Sequence, residues 1–164
     1  MTDVFAAPRR LGSLLGRLLV AGLVAASLAG CGEMAGGGLA PGLVASMDAP
    51  GASLDRPSAI AIINQYRSTV GAAPLTGDPA LDLTAQGLAQ DYAKTGKSPT
   101  LPPGANALRT SAGYSNFAET FSGWRNNPAD ASALATTGAR RAGIAAVYDA
   151  SSAYGVYWVL VLAG

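Results

Sequence analysis

Residues 154–163 (YGVYWVLVLA) restrict the fold more than any other part of the chain. The run is β-rich, and side chains along a strand point alternately to two faces. Here both alternating sets are apolar: Tyr154, Val156, Trp158 and Leu160 on one, Tyr157, Val159 and Val161 on the other. A strand of that kind is covered on both faces. Residues 143–148 (GIAAVY) form a second β-rich run, and residues 149–153 link the two, so the pair predicts a closing hairpin.

The segments upstream supply the cover. Asp55 and Pro57 have the form of a helix start, and Ile60, Ile63, Tyr66 or Arg67, and Val70 follow at helical spacing until Gly71. Asp78-Pro79 opens a second helix with a cap acceptor and a proline at the first helical position. Leu81, Ala85, Leu88, Ala89 and Tyr92 share its apolar face, and Gly96 suits its end. Residues 97–112 hold Pro99, Pro102, Pro103 and Gly104 and read mostly as loop. Residues 116–119 (NFAE) resemble a capping box, with Asn116 in place of the usual Ser or Thr. Phe117, Phe121 and Trp124 then form an aromatic stripe, read as core. Asn127-Pro128 ends that helix and starts a short one through Leu134. Helices first and a hairpin last predict an α+β fold: an α-β-α sandwich whose antiparallel sheet ends in a C-terminal hairpin, with helices on both faces.

The opening of the chain has a different character. Arg9, Arg10 and Arg17 precede an uncharged apolar run, residues 18–29 (LLVAGLVAASLA), of the length of a signal-peptide core. Twelve residues are too few to span a bilayer, which takes roughly 20. The run ends in Leu28-Ala29-Gly30-Cys31, which resembles the lipobox of bacterial lipoproteins. That resemblance implies cleavage after residue 30 and lipid on Cys31. Two or more acyl chains anchor a protein stably where one does not. Cys31 is the only cysteine, so no intramolecular disulfide can form. Gly32 rather than aspartate follows it, which by resemblance to Gram-negative sorting rules implies the outer membrane, facing the periplasm, rather than the inner one. Residues 32–55 are rich in Gly, Ala, Ser and Pro without periodicity. They read as a flexible tether within a 1–30, 31–55 and 56–164 division into signal, tether and domain.

Loss of residues 1–30 removes three basic residues and one acidic one from totals of 11 and 10, leaving 8 against 9, formally −1. Such a balance gives no electrostatic grip on nucleic acid. What remains is long enough for one domain and short for two.

In order along the chain, residues 60–67 (IAIINQYR), 71–75 (GAAPL), 78–81 (DPAL), 117–134 (FAETFSGWRNNPADASAL), 142–145 (AGIA) and 157–159 (YWV) resemble the CAP superfamily, also called SCP-like or pathogenesis-related proteins, in its bacterial form. The resemblance implies an α-β-α sandwich with a central cleft, where many members place two histidines and two acidic residues that sometimes hold a divalent metal. This chain has no histidine. Laid on the family pattern, Asp130 stands for the histidine of a Pro-Gly-His motif, with Pro128 and Ala129 at its proline and glycine. Leu108 stands for the first acidic residue and Arg109 for the asparagine after it; Thr100 falls near the other histidine and Asn127 near the second acid.

A serine, threonine or cysteine nucleophile assisted by histidine is therefore excluded. No cofactor is implied. Lysine or carboxylate bases remain, with Glu119, Asp130 and Asp149 the obvious candidates; Glu119 is accounted for by the capping box and Asp149 by a turn. The reading is a membrane-anchored, non-catalytic domain of the cell envelope that binds a small apolar ligand, an envelope component or a protein partner. A carboxylate-dependent envelope hydrolase or peptidase is the alternative, and a degenerate structural or interaction module is a further one. A close acidic pair in a concave pocket would favour the enzyme.

Overall fold

A computed structural model describes residues 38–164. Residues 39–164 form one unit. Cys31 and the signal segment lie outside the described residues.

Helix α1 is a single turn, Pro41–Val44, and α2 spans Arg56–Thr69. Strand β1, Thr76–Gly77, is followed by α3, Pro79–Thr95, and β2, Ala105–Ala112. Helices α4, Phe117–Asn126, and α5, Pro128–Leu134, lead to the hairpin of β3, Arg141–Tyr148, and β4, Val156–Ala163. The sheet order is β1-β3-β4-β2. Strand β4 pairs antiparallel with β3 and β2, and the two residues of β1 add to β3 in parallel.

Local chemistry sets the helix starts. The Asp55 carboxylate accepts from the Ser58 N–H at 3.0 Å, and that of Asp78 from the Ala80 N–H at 2.8 Å. The Asn116 side chain accepts from the Glu119 N–H at 3.0 Å, and that of Asn127 from Ala129 and Asp130. Each satisfies donors that a first helical turn leaves open. Only the Asn116 half of the expected capping box forms among the described residues. Gly96 ends α3 at φ 67°, in the left-handed region that suits glycine.

Every residue of β4 is buried, and its alternating side chains divide the core. Val156, Trp158, Leu160 and Leu162 face one layer, where α2, α4 and α5 contribute Ile60, Ile63, Phe117, Phe121, Trp124 and Leu134. The aromatic stripe is thus core, with Phe117 in contact with Phe121, Trp124 and Trp158. Val159 and Val161 face the other layer, where α3 contributes Ala85 and Ala89. Alanines let α3 lie close to the sheet, and Gly143 of β3 completes that approach. A Cβ at Gly143 would land in the backbone of Leu81 and Asp82.

The structure corrects three sequence expectations. Residues 97–112 are not mostly loop: their prolines all precede Ala105, and the run ANALRTSA becomes strand by pairing with β4. Residues 39–55 are not a free tether. Leu43, Met47 and Leu54 are buried in the larger core, and the Met47 N–H donates to the Ser115 carbonyl at 2.7 Å. Three apolar side chains spaced through a Gly- and Ala-rich stretch show no periodicity, yet each finds a place in the core. Tyr154 precedes β4 and is exposed rather than part of its buried face.

Arg67, which shares the α2 stripe with Ile60 and Ile63, is fully buried. Its guanidinium donates to the carbonyls of Ala73 at 2.7 Å and Leu134 at 2.5 Å, and more distantly to those of Thr136 and Ala139. Burial, and then the nearby Arg140 cation, lower its affinity for the proton. The carbonyls supply the compensation that a buried charge needs.

Gly143→Ala is expected to destabilise the domain by roughly 3 kcal/mol through a clash with α3 backbone. Gly87→Ala, on the exposed side of α3 with nothing near its Cβ position, should stabilise by about 1 kcal/mol. Urea unfolding of the two variants measures both. A second expectation concerns acid. The Ala80 N–H, and then Arg141, hold the Asp78 carboxyl below the usual range, and Ser58 does the same for Asp55. A carboxyl depressed in the folded state contributes stability fully above its unfolded value, about 3.9, and loses it as pH falls through the lower folded value. Stability should therefore drop below about pH 4. Asp78→Asn, which keeps a capping acceptor, should flatten that loss in unfolding curves taken from pH 5 to pH 2 (roughly the window of carboxylate titration).

Candidate functional site

Strand β2 runs past the start of α5, and its alternation decides what reaches the cleft between them. Ala107 packs in the larger core and Leu108 in the α3-side core. Arg109 follows the parity of Ala107, and its Nη1 pairs with Oδ1 of Asp130. Asp130 stands in the first turn of α5, fixed there by the Asn127 cap and Pro128 at the first helical position. The Arg109 Nε donates to the carbonyl of Leu108, which leaves Nη2 without a protein partner among the described residues. The two side chains are 27% and 25% exposed, so the pair is partly screened and contributes at most about 1 kcal/mol.

Beside the pair lies a cavity of about 380 Å³. Asn106, Arg109, Thr110 and Thr136 contribute its polar wall, and Leu101 and Ala133 its apolar one. The Thr136 hydroxyl donates to the Ala133 carbonyl at 2.7 Å and keeps acceptor capacity. Behind the cavity, the Trp124 indole N–H donates to the Thr110 carbonyl at 3.0 Å and ties α4 to the outer edge of β2. The volume falls within the range of small-molecule sites, roughly 300–1,000 Å³.

The four positions marked in the sequence do not converge. Thr100 is exposed in the loop, where its neighbours Pro99 and Leu101 line the cavity. Leu108 borders the cavity, but its side chain packs in the cluster of Ala85, Ala89, Val159 and Val161. The Asn127 side chain is taken up in capping α5. Asp130 comes to the side of the cleft through its pairing with Arg109, which lines the cavity. The residue of β2 that faces Asp130 is thus Arg109 and not Leu108, a parity invisible while the segment reads as loop.

These residues do not fit a divalent metal. A guanidinium occupies the one carboxylate, and no three His, Cys, Asp or Glu side chains come together among the described residues. The other carboxylates are elsewhere. Glu119 is exposed at the start of α4. Asp149 accepts from the Ser151 hydroxyl at 2.6 Å and its N–H at 2.9 Å, which hold its carboxyl below the usual range. Neither lines the cleft cavity. Arg141 pairs with Asp78 at 2.6 Å, and Arg140 is exposed.

The family model described as "CAP: Cysteine-rich secretory protein family" matches residues 60–162. No curated protein matches the chain in sequence. Among solved structures the chain is similar to an outer surface protein from Borrelia burgdorferi. Identity is 16% over 66% of this chain and 92% of that one, with a TM-score of 0.55. It is also similar to an extracellular protein with an SCP domain from Bacillus anthracis str. Ames, at 19% identity over 66% of this chain and 40% of that one, TM-score 0.53. The protein MpPR-1i is similar at 15% identity over 65% of this chain and 88% of that one, TM-score 0.53.

Leu108→Glu should cost about 3 kcal/mol or more, because it places a carboxylate in the α3-side core without a partner. Arg109→Leu should change stability by no more than about 1 kcal/mol. Urea denaturation of the two variants distinguishes the residue that faces the cleft from the one that faces the core.

Proposed function

The chain belongs to the CAP, or cysteine-rich secretory protein, family, and from that premise we propose that it is a non-catalytic binding domain held at the membrane of the cell envelope by lipid on Cys31. The observation that carries the reading is the Arg109–Asp130 pair. Where the family pattern implies a histidine, this chain has Asp130, neutralised by the guanidinium of Arg109 beside a cavity with polar walls. Such a site can hold a ligand by hydrogen bonds. It lacks a free base and a metal-binding set.

The wall of Asn106, Thr110 and Thr136, with the open Nη2 of Arg109, favours a polar envelope component over an apolar ligand. The lipobox-like residues 28–31 support attachment through Cys31, and Gly32 supports the outer membrane. No helix among the described residues is long and apolar enough to cross a membrane.

Fractionation and native mass spectrometry of the chain produced in a Gram-negative host test both halves of the reading. The parent is expected in the membrane fraction with the added mass of lipid on Cys31, and Cys31→Ala in the soluble fraction. Parent protein extracted from envelopes is expected to carry a reproducible noncovalent adduct that Arg109→Ala loses. A parent that fractionates like Cys31→Ala would overturn the anchor. A bare parent, or an adduct indifferent to Arg109→Ala, would overturn the cleft.

A further inference from the structure

A second cavity, of about 440 Å³, opens on the other edge of the sheet, where α2 and α3 begin. It exists because β1 is so short. Strand β1 covers β3 only at Arg141 and Ala142, so the peptide groups of Ile144 face outward with no strand to meet them. Two side chains take the place of that strand. Asp82 Oδ1 accepts from the Ile144 N–H at 2.8 Å, and Arg56 Nε donates to the Ile144 carbonyl at 2.9 Å.

This arrangement holds two opposite charges beside each other without letting them pair fully. The Arg56 Nε and Asp82 Oδ1 are 3.6 Å apart, beyond hydrogen-bond distance. Both terminal nitrogens of Arg56 and Oδ2 of Asp82 are without a protein hydrogen-bond partner among the described residues. Both side chains line the cavity, 40% and 24% exposed. Leu54, Pro57, Ile60 and Pro79 supply apolar wall around them.

The charge pattern selects the ligand. A simple anion would meet Arg56 but also Asp82, and it would gain nothing from the start of α2. There the Asp55 carboxylate takes the Ser58 N–H, and the Arg56 and Ala59 N–H groups are bonded to backbone carbonyls. A simple cation would meet the opposite conflict. A zwitterion satisfies both groups, with a carboxylate on the terminal nitrogens of Arg56, an ammonium on Oδ2 of Asp82, and an apolar side chain against the wall. Charge-assisted bonds of this kind are the strong ones. We propose that this cavity is a binding site for an apolar α-amino acid, held between Arg56 and Asp82 and distinct from the cleft at Arg109.

Isothermal titration of the full-length chain tests this with three probes of one carbon skeleton: L-leucine, isocaproate, which lacks the ammonium, and isoamylamine, which lacks the carboxylate. Leucine is expected to bind, and each of the other two about tenfold or more weakly, the factor for losing one charge-assisted bond. Arg56→Gln is expected to lose the same factor. Because that change also disturbs the cover of Ile144, Gly77→Phe serves as the second variant. Gly77 lines the cavity, and a Cβ there meets no atom within 4 Å, so the ring can fill the space with Arg56 and Asp82 in place. Gly77→Phe is expected to melt like the parent and to bind no leucine. Absence of leucine binding to the parent, equal affinity for the three probes, or unchanged leucine binding to a folded Gly77→Phe would overturn the proposal.

Discussion

The fold depends on the burial of β4. Its eight residues are each no more than 2% exposed, and neighbours on both sides take up its backbone hydrogen bonds. Fully burying one Val or Leu side chain contributes about 1.5–3 kcal/mol. The strand can gain that on both faces only if two layers are built over it. The layers differ because their residues do. Helices α1, α2, α4 and α5, with their Leu, Ile, Phe and Trp side chains, make a thick layer on one side, and one helix carrying Ala makes a thin one on the other. The thin layer lies so close that glycine is required opposite Leu81 and Asp82. The two cavities described lie at the sheet edges, one beside β2 and the other where α2 and α3 begin.

Arg67 closes the thick layer from within. A buried cation is costly unless its donors are met, and here backbone carbonyls from the α2–β1 link, the end of α5 and the approach to β3 meet them. None of those carbonyls belongs to a regular hydrogen-bond ladder that would otherwise satisfy it. The guanidinium thus does for three irregular segments what a strand does for its neighbour. Its planar fork suits that task, and a lysine would offer a single point.

Much of this was legible where the chemistry is local. Asp55, Asp78 and Asn127 each precede proline within two residues and start helices as the sequence predicts, and the double apolar alternation of residues 154–163 predicted a strand covered on both faces, which the structure begins at Val156. What could not be read depends on partners distant in sequence. The small, mixed side chains of β2 become strand through β4, and without that pairing the inward parity of Arg109 has no meaning. Arg67 reads as a polar residue by type, though its position after Ile60 and Ile63 on the apolar stripe was the available signal. Leu43, Met47 and Leu54 carry no local pattern at all. The Arg109–Asp130 pair joins residues 21 apart across two elements, and no spacing rule would have selected it.

The side chains set along the sheet edges have a consequence for how copies of this protein coexist. An open strand edge is a template on which another chain can grow. At β3, Arg56 and Asp82 occupy the peptide groups of Ile144. At β2, the Trp124 indole and the Arg109 guanidinium occupy the carbonyls of Thr110 and Leu108. Side chains thus take up part of each open margin, as β1 takes up another part of β3, so less unpaired backbone is left for a second chain to join.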